Sequence, residues 1–281
     1  MDNLDLQLLR DSLLAAVRED VGAGDITSHA TIPANARATG RYTTKQTVVV
    51  AGVPVIREIM RLVDSDLQFD AIASDGCSVA TGAVLAEVHG SARSILAVER
   101  TSLNLLQRMC GIATLTHQYV DRIAGTRTRI VDTRKTAPGL RVLDKYAVSC
   151  GGGMNHRMGL FDGVLIKNNH LIFHPSVAHA IQEARRNLGH LVKIEVEVRT
   201  LDELRTAVDG DADVILLDNF DAEQTRRAVG IVNGRIPLES SGGVTLETVR
   251  SFAEAGVDYI SVGALTHSAP AADIHLRVTA E

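Results

Sequence analysis

The sequence predicts an α/β protein in two parts: a mixed region of short strands and helices, followed by a parallel α/β barrel that is incomplete. Residues 36–90 combine short β-type segments and turns with one helical segment, which is typical of an α+β domain. After residue 128, apolar strand segments alternate with helical segments, and this alternation predicts parallel strands joined by crossover helices. Six such strands, where a closed barrel of this type has eight, predict that the barrel stays open.

The N-terminal part is predicted to begin with an amphipathic helix. Leucines recur at helical spacing within residues 4–19, and Asp2 or Asn3 is the expected N-cap. The segment EDVGAGDITS that follows is rich in glycine but lacks the GxxxxGK[ST] pattern of a phosphate-binding loop, so we expect a structural turn. A second helix is predicted to begin at Pro54, because proline is favoured in the first turn of a helix.

A long helical region is predicted for residues 93–124. Leu103, Leu106 and Met109 share one apolar face of it, which indicates a helix that packs on a core. Gly111 is a candidate break, since glycine weakens a helix interior.

The barrel strands are predicted from short apolar runs, in chain order RIVDT, GVLIK, VKIEVEV, DVILLD, IPLESS and DYISVG. Polar or glycine residues stand at the C-terminal end of each run, where open α/β sheets and barrels bind their ligands. Glu195 and Glu197 lie two residues apart in the third strand, so both are expected to face the barrel interior.

Cationic residues are concentrated in one stretch, residues 130–170, which we expect to form the wall of an active site. It carries a net charge of +3 within a chain of net charge −5. Arginine binds carboxylate or phosphate through a planar fork and lysine acts as a point charge, so this contrast predicts a site for a small, multiply charged anion.

Composition excludes several other functions. Aromatic residues make up 3% of the chain and Trp is absent, which argues against single-stranded nucleic-acid binding by base stacking. The three cysteines, Cys77, Cys110 and Cys150, form no CxxC pair, so we expect neither a disulfide framework nor a zinc ribbon. No N-terminal leader or membrane-spanning run is recognised, and a cytoplasmic protein is expected.

The strand ends offer several chemistries. Glu197 and Asp218 end consecutive strands and could together ligate Mg²⁺, or they could pair with interior Arg and Lys residues. Lys167 ends the second strand and could form a Schiff base, as in an aldolase-type barrel, although the neighbouring cations fit anion binding more naturally. Glycines after the last two strands are compatible with a phosphate cup and also with plain turns.

The motifs DTRKTAPGLR, DKYAV, GGGMNHR and GVLIKNNH resemble those of the quinolinate phosphoribosyltransferase family, the decarboxylating nicotinate-nucleotide pyrophosphorylases. EDVGAGDIT, ERTSLNLLQRMCGIAT, EVEV, LLDN, SSGG and SVGALTHS are similar to that family in the same order, so the resemblance runs through nearly the whole chain. One position departs from the family pattern, because Asn168 stands where an acidic residue is usual.

The resemblance implies a fold and an assembly. Residues 1–102 would form an N-terminal α/β sandwich domain on which the tail 268–281 packs, and residues 103–267 an open α/β barrel that carries catalysis. Two chains would form a head-to-tail homodimer with shared active sites, and a higher oligomer is the alternative assembly. Arg100 would enter the site of the neighbouring chain.

The resemblance also implies roles for the residues at the barrel mouth. Quinolinate carboxylates and phosphate oxygens would be bound by Thr133, Arg134, Lys135, His156, Arg157 and Lys167. Glu197 and Asp218 would lie near the ribose of phosphoribosyl pyrophosphate and its Mg²⁺. Its 5-phosphate would be bound by Ser241, Gly242, Gly243 and Gly263. The expected catalytic residues are Lys135, Glu197 and Asp218.

The implied activity is a Mg²⁺-dependent phosphoribosyl transfer to quinolinate with loss of CO₂, a step of NAD biosynthesis. Two alternatives stay open from the sequence. One is a paralogous phosphoribosyltransferase of the same fold with another pyridine-like substrate, and the other is the Schiff-base barrel that uses Lys167. A non-catalytic anion sensor on the same scaffold is a third.

Overall fold

A computed structural model describes residues 4–281 of the chain. Contacts divide the chain into two compact units. The first contains the residues up to His117 together with Ala137–Gly152 and Ser268–Glu281, and the second contains Gln118–Thr136 and Gly153–His267. The predicted α/β fold with an open parallel barrel is confirmed.

The helices and strands are numbered in chain order. The helices are α1 (Leu6–Val21), α2 (Ile26–Thr31), α3 (Val53–Val63), α4 (Ala92–Arg122), α5 (Arg141–Cys150), α6 (Asn168–Leu171), α7 (Val177–Asn187), α8 (Leu201–Asp209), α9 (Ala222–Val232), α10 (Val249–Ala255) and α11 (Ala264–His267). The strands are β1 (Arg37–Thr44), β2 (Val48–Val49), β3 (Gln68–Ala71), β4 (Ser78–Val79), β5 (Val84–Ser91), β6 (Arg129–Val131), β7 (Val164–Ile166), β8 (Ile194–Val198), β9 (Val214–Asp218), β10 (Leu238–Ser241), β11 (Tyr259–Ser261) and β12 (Ile274–Ala280).

The first unit is built on a four-stranded antiparallel sheet in the order β12-β1-β5-β3. The C-terminal strand β12 pairs along β1, from Ala38 opposite Ala280 to Thr44 opposite Ile274. Tyr42 on β1 is fully buried, and its hydroxyl lies 2.7 Å from the hydroxyl of Ser102 on α4. A buried tyrosine needs such a partner for its hydroxyl, so this contact ties the long helix to the sheet.

The N-terminal helix begins at Leu6, and the side chain of Asp5 caps it by accepting from the backbone N–H of Gln7 and Leu8. The predicted caps Asp2 and Asn3 lie outside the described residues. The expectation of a plain turn over residues 19–28 is only partly right. The chain turns near Gly22, but Asp25 then caps the short helix α2 through the backbone N–H groups of Thr27 and Ser28.

Helix α4 is continuous over 31 residues, so the break proposed at Gly111 is wrong. The glycine is required for another reason. A Cβ at this position would overlap the carbonyl oxygen of Pro270, which belongs to the same unit. Close approach of the C-terminal segment to the helix therefore explains a residue that otherwise weakens a helix interior.

The second unit contains a six-stranded parallel sheet in the order β6-β11-β10-β9-β8-β7. Its two edge strands, β6 and β7, are the first two of the set in the chain, and the barrel is open between them. At this seam Met154 makes a parallel bridge with Val131 of β6. The loop that leads to β7 is thus attached to the edge of β6.

The domain boundary predicted between residues 102 and 103 falls inside α4 and stays a prediction.

In the described part of the chain, no helix combines the length and apolar character needed to cross a bilayer.

The first unit contains a buried ion pair whose loss should destabilise it. Arg108 on α4 donates to both carboxylate oxygens of Asp144 on α5 at 2.7 Å, and the Asp144 side chain is fully buried. The substitution Arg108→Ala leaves this carboxylate without its guanidinium. We expect the free energy of unfolding to fall by about 3–5 kcal/mol, as measured by urea denaturation.

Lys45→Ala is the control for this measurement, because Lys45 pairs with Asp273 at 3.7 Å in the same unit with both side chains exposed. It should cost less than about 1 kcal/mol. If both substitutions lowered the free energy of unfolding equally, burial of the Asp144 carboxylate would not be the reason for the loss.

Candidate active site

The second unit has a cavity of about 460 Å³ in which residues from the carboxyl ends of the barrel strands converge. Most residues predicted to bind substrate line it: Thr133, Arg134, Lys135, His156, Arg157, Lys167, Glu197, Asp218, Ser241, Gly242 and Gly243. The cavity is also lined by Leu165, Leu216, Asn219, Glu239 and Ser261. Parallel strands place their carboxyl ends on one rim, which explains how residues distant in sequence meet there.

Two predicted residues lie elsewhere. Arg100 is on α4 in the first unit, where its side chain is 60% exposed and its guanidinium lies 3.9 Å from the Glu99 carboxylate. Gly263 lies in the second unit just before α11, beside the side chains of Lys135 and His267. Their predicted roles, like those of the cavity residues, stay predictions.

The stretch 130–170 does not form one continuous wall. Residues 137–152 belong to the first unit, and there Arg141 and the fully buried Lys145 lie on α5. Only the two ends of the stretch contribute to the cavity. The charge count of the sequence therefore combined cations from two different environments.

The cations of the cavity are held close together. The Arg157 guanidinium donates to the carbonyl oxygen of Gly163 at 2.8 Å, and burial, assisted by the nearby Arg134 guanidinium, lowers the pKa of Arg157. The Nε of Arg134 is buried without a hydrogen-bond partner among the described residues. A bound anion would satisfy this donor and offset the repulsion between the two guanidinium groups.

Two carboxylates face these cations from β8 and β9. Glu197 is buried and lies 3.5 Å from Lys167 Nζ. Asp218 accepts from Arg199 Nε at 3.2 Å and from Asn219 Nδ2 at 3.0 Å. Both acids therefore pair with cations, but the cations Lys167 and Arg199 are more than half exposed and are not the interior Arg and Lys residues that the sequence suggested.

Asn168, the departure from the family pattern, has a definite function in this arrangement. Its side-chain amide donates to Glu197 Oε1 at 2.7 Å. An aspartate at this position would instead place a second negative charge against Glu197. The amide therefore supports the ionised carboxylate in a way that the usual acid would not.

The carboxylates also fit a magnesium ion. Mg²⁺ is bound through one or two carboxylates together with substrate phosphates and water, and the Glu197 and Asp218 side chains offer oxygen ligands in the same cavity. Their existing hydrogen bonds leave lone pairs, since a carboxylate has about four acceptor positions.

The loop after β10 requires glycine at Gly242 and is favoured by glycine at Gly243. Gly242 and Gly243 have φ angles of +99° and +62°, and a Cβ on Gly242 would overlap the side chain of Asn219. Left-handed backbone next to a strand end can direct N–H groups into a concave site, which is a known way to bind phosphate. The phosphate cup at this loop stays a prediction.

Sequence reasoning placed Glu195 in the barrel interior without a role in the site, and it missed the buried acid Glu239, which lines the cavity. Glu195 accepts from His156 Nε2 at 2.9 Å, and Glu239 on β10 lies 3.8 Å from the same nitrogen. Burial and the neighbouring Glu195 carboxylate raise the pKa of Glu239 to about 8. Strand alternation could have found it, because Glu239 and Ser241 share one face of β10.

The Schiff-base alternative receives no support from Lys167. Its side chain is 51% exposed and lies beside Glu197, whereas a Schiff-base lysine is usually activated by desolvation or by another cation.

The glycine before α11 leaves room for Lys135. A Cβ on Gly263 would lie 2.9 Å from Lys135 Cδ and 3.3 Å from the His267 ring. We expect Gly263→Ala to displace the lysine and to weaken pyrophosphate binding about tenfold, which corresponds to about 1.4 kcal/mol, as measured by calorimetric titration.

Gly230→Ala is the matched control, because a Cβ at this position on α9 meets nothing within 4 Å. It should leave pyrophosphate affinity unchanged and raise stability by up to about 1 kcal/mol through helix propensity. Equal affinities for the two variants would argue against the positioning of Lys135 by Gly263.

Comparison with known proteins agrees with this geometry. Residues 25–110 match the N-terminal domain of quinolinate phosphoribosyl transferase, and residues 112–277 match its C-terminal domain. The chain is 43% identical over 261 residues to the probable nicotinate-nucleotide pyrophosphorylase [carboxylating] of Bacillus subtilis, covering 93% of this chain and 90% of that protein. It is 43% identical over 282 residues to the nicotinate-nucleotide pyrophosphorylase [carboxylating] of Mycobacterium leprae, covering 98% and 99%.

Solved structures show the same similarity. NadC from Streptococcus pyogenes superposes with a TM-score of 0.96 at 36% identity and full coverage of both chains. The nicotinate-nucleotide pyrophosphorylase from Francisella tularensis superposes with a TM-score of 0.94 at 37% identity, covering 99% of this chain and 98% of that one. Matched by both domain models over most of its length, the chain belongs to the quinolinate phosphoribosyltransferase family.

Proposed function

We propose that this protein transfers the phosphoribosyl group of phosphoribosyl pyrophosphate to quinolinate with decarboxylation. The products are nicotinate mononucleotide, pyrophosphate and CO₂, which places the reaction in NAD biosynthesis. The observation that carries the proposal is the cavity in which four Arg and Lys side chains meet the carboxylates of Glu197 and Asp218. The relatives named nicotinate-nucleotide pyrophosphorylase support it, since "carboxylating" describes the same reaction in reverse.

The cations bind and orient the anionic substrates. Arg134 and Arg157 present guanidinium groups that match the two carboxylates of quinolinate, and Lys135 and Lys167 present point charges suited to carboxylate or phosphate oxygens. Holding the pyridine nitrogen against the ribose C1 turns a bimolecular step into one within a complex. Positioning is therefore the first contribution of these residues.

The acids act on the ribose as its bond to pyrophosphate breaks. The pyridine nitrogen forms a bond to C1 while the C1–O bond to pyrophosphate breaks, and the electron pair leaves with the pyrophosphate oxygen. Positive charge develops on the ribose ring, and the carboxylates of Glu197 and Asp218 oppose it. The cations of the cavity oppose the negative charge on the departing group.

Decarboxylation then needs no organic cofactor. Once ribosylated, the pyridine nitrogen is cationic. When the bond between C2 and its carboxylate breaks, the electron pair stays on C2 beside that positive charge, and a proton then adds to C2. The positive nitrogen is bonded directly to C2, so Coulomb attraction between the two stabilises this electron pair.

Glu197 and Asp218 would hold the Mg²⁺ that the family resemblance implies. The ion would add positive charge at the pyrophosphate oxygens when bound. Oxygen donors on two adjacent strands fit this ion.

A homodimer with shared sites is part of the proposal, with Arg100 reaching the cavity of the partner chain. Its support is the exposed position of the Arg100 side chain on α4, where the nearby Glu99 lies at 3.9 Å. An exposed guanidinium is available to an anion bound by another chain.

We also propose that the protein works in a reducing cytoplasm. Its three free cysteines support this location.

The activity is tested by incubating purified protein with Mg²⁺, phosphoribosyl pyrophosphate and either quinolinate or nicotinate. We expect quinolinate-dependent release of pyrophosphate and ¹³CO₂ from labelled substrate. Lys135→Ala should lower kcat/KM by about two to three orders of magnitude, because it removes a cation that contacts the anionic substrate.

Arg205→Ala is the control, because Arg205 pairs with Asp202 on the exposed face of α8, and it should behave as wild type. Consumption of nicotinate but not quinolinate would assign the protein to a paralogue with another substrate. Tight binding of quinolinate without turnover would indicate an anion sensor.

The shared site is tested by complementation. Arg100→Ala and Lys135→Ala should each be nearly inactive alone, because each removes one cation from every site. After subunit exchange, one of the two sites in a mixed dimer would contain neither substitution, so up to about a quarter of wild-type activity should return, since half of the dimers are mixed. Absence of recovery after exchange has been verified by mass spectrometry would contradict the shared site.

A further inference from the structure

Three ionisable groups meet on the wall of the cavity. His156, Glu195 and Glu239 place a ring nitrogen and two carboxylate oxygens within 4.8 Å of one another. His156 lies on the loop before β7, Glu195 on β8 and Glu239 on β10. Glu239 is 3% exposed and still lines the substrate cavity, so its charge acts directly on whatever binds there.

The hydrogen bonds of His156 limit the protons that this cluster can hold. The backbone N–H of Arg157 donates to His156 Nδ1 at 2.7 Å, so that nitrogen acts as an acceptor and carries no proton. The ring proton is therefore on Nε2, which donates to Glu195 Oε2 at 2.9 Å. Both ring nitrogens are thus engaged, and the attraction between His156 and Glu239 lowers the pKa of that carboxyl less than burial and Glu195 raise it.

The hydrogen bond of His156 Nε2 goes to Glu195, and Glu239 lies farther from that nitrogen, at 3.8 Å. Its nearest ionisable neighbours are Glu195 and His156, and the carboxylate of Asp132 at the end of β6 acts on it with the same sign as Glu195. The adjacent strand β9 presents Leu216 in register with it, and β11 contributes the hydroxyl of Ser261. Oε1 of Glu239 and Oε1 of Glu195 are both buried without a hydrogen-bond partner within residues 4–281.

An ionised Glu239 would therefore be a buried charge beside like charges, which is strongly unfavourable, and a carboxyl group in this situation keeps its proton. The raised pKa of about 8, caused first by burial and then by Glu195, agrees with this proton count. Both ring nitrogens of His156 are engaged inside the protein, and the binding role that the family resemblance implies for this residue stays a prediction. The Glu239 carboxyl is therefore neutral where it lines the wall of the cavity beneath the anion site.

We propose that Glu239 is a positioning residue whose protonated carboxyl leaves the His156 ring to Glu195 and adds no negative charge to the wall of the cavity, so that quinolinate binds well only while Glu239 is protonated. This inference rests on the proposed function for the identity of the anion. Two effects follow from ionisation of Glu239. The new carboxylate competes with Glu195 for His156 Nε2, and it repels the dianionic substrate.

Quinolinate binds to the form of the protein in which Glu239 is neutral, and this sets the direction of the pH dependence. Below the pKa of about 8 the group is protonated and binding is at its full strength. As the pH rises through that value, the ionised fraction grows and the KM for quinolinate rises, approaching tenfold for each further pH unit. The effect should appear in KM more than in kcat, because the group acts on binding.

The test compares Glu239→Gln with wild type. The amide has the shape of a protonated carboxyl and cannot ionise. We expect its KM for quinolinate at pH 7 to stay within about threefold of wild type, and the rise of KM between pH 7 and pH 9 to be much reduced. Glu223→Gln, which removes an exposed acid on α9 of the same unit, should keep the wild-type pH profile.

Infrared spectroscopy provides a readout that does not depend on activity. Wild-type protein at pH 6 should show the carbonyl band of a buried protonated carboxyl. That band should disappear on titration through pH 8 and be absent from Glu239→Gln. Circular dichroism confirms that each variant is folded before it is compared.

Several results would overturn the inference. The first is that the folded Glu239→Gln variant keeps the wild-type rise of KM with pH. The second is that this variant no longer binds quinolinate at pH 7. A metal that co-purifies with wild type and is lost from Glu239→Gln would show that the cluster holds an ion instead of a proton. If wild type does not turn over quinolinate, the proposed function fails, whereas the infrared titration still tests the proton on Glu239.

Discussion

The interior of the parallel barrel carries carboxylates, and each of them has to be stabilised where it lies. Removing an ionised carboxylate from water costs several kcal/mol unless a partner or a proton is supplied. Glu197 lies beside Lys167 and Asn168, and Asp218 beside Arg199 and Asn219. Glu195 accepts from His156. The chemistry of the cavity depends on this requirement, since two of the groups that stabilise the acids, Lys167 and His156, also line the cavity that would receive an anionic substrate.

The open seam of the barrel positions the loop that carries His156 and Arg157. Met154 bridges to Val131, and the backbone N–H of Asp132 donates to the carbonyl oxygen of Met154 at 3.1 Å. The Asp132 carboxylate then accepts from the backbone N–H of His156 at 2.9 Å. In a closed barrel this edge of β6 would be occupied by another strand. Here it carries the loop with His156 and Arg157 into the cavity.

Asn168 illustrates how one substitution changes the electrostatic balance of such a site. In the family pattern an acid precedes the Asn-His pair, whereas this chain places an amide there that donates to Glu197. The substitution removes one negative charge from the vicinity of the proposed Mg²⁺ ligands and adds one donor. The carboxylate of Glu197 is therefore stabilised by hydrogen bonding as well as by the charge of Lys167.

The sequence was sufficient to predict the helices and strands of the barrel, because amphipathic and apolar periods are local properties. It also indicated which residues stand at the strand ends, and most of those line one cavity. It was misleading where packing overrides local preference. Gly111 looked like a helix break and is instead a point of close approach to Pro270, and the short helix α2 depends on a cap that lies within a glycine-rich segment.

By itself, then, the amino-acid sequence determined the order of the elements, the open barrel and the anionic nature of the ligand, since these follow from periodicity, strand count and charge. Only the tertiary structure decided which charges share one environment. It assigned Arg141 and Lys145 to the first unit and the cavity cations to the second, and it brought Glu239 to His156 and Glu195 from another strand. The physical reason is that burial and neighbouring charge fix whether a carboxyl group is ionised, and both depend on residues far apart in the chain.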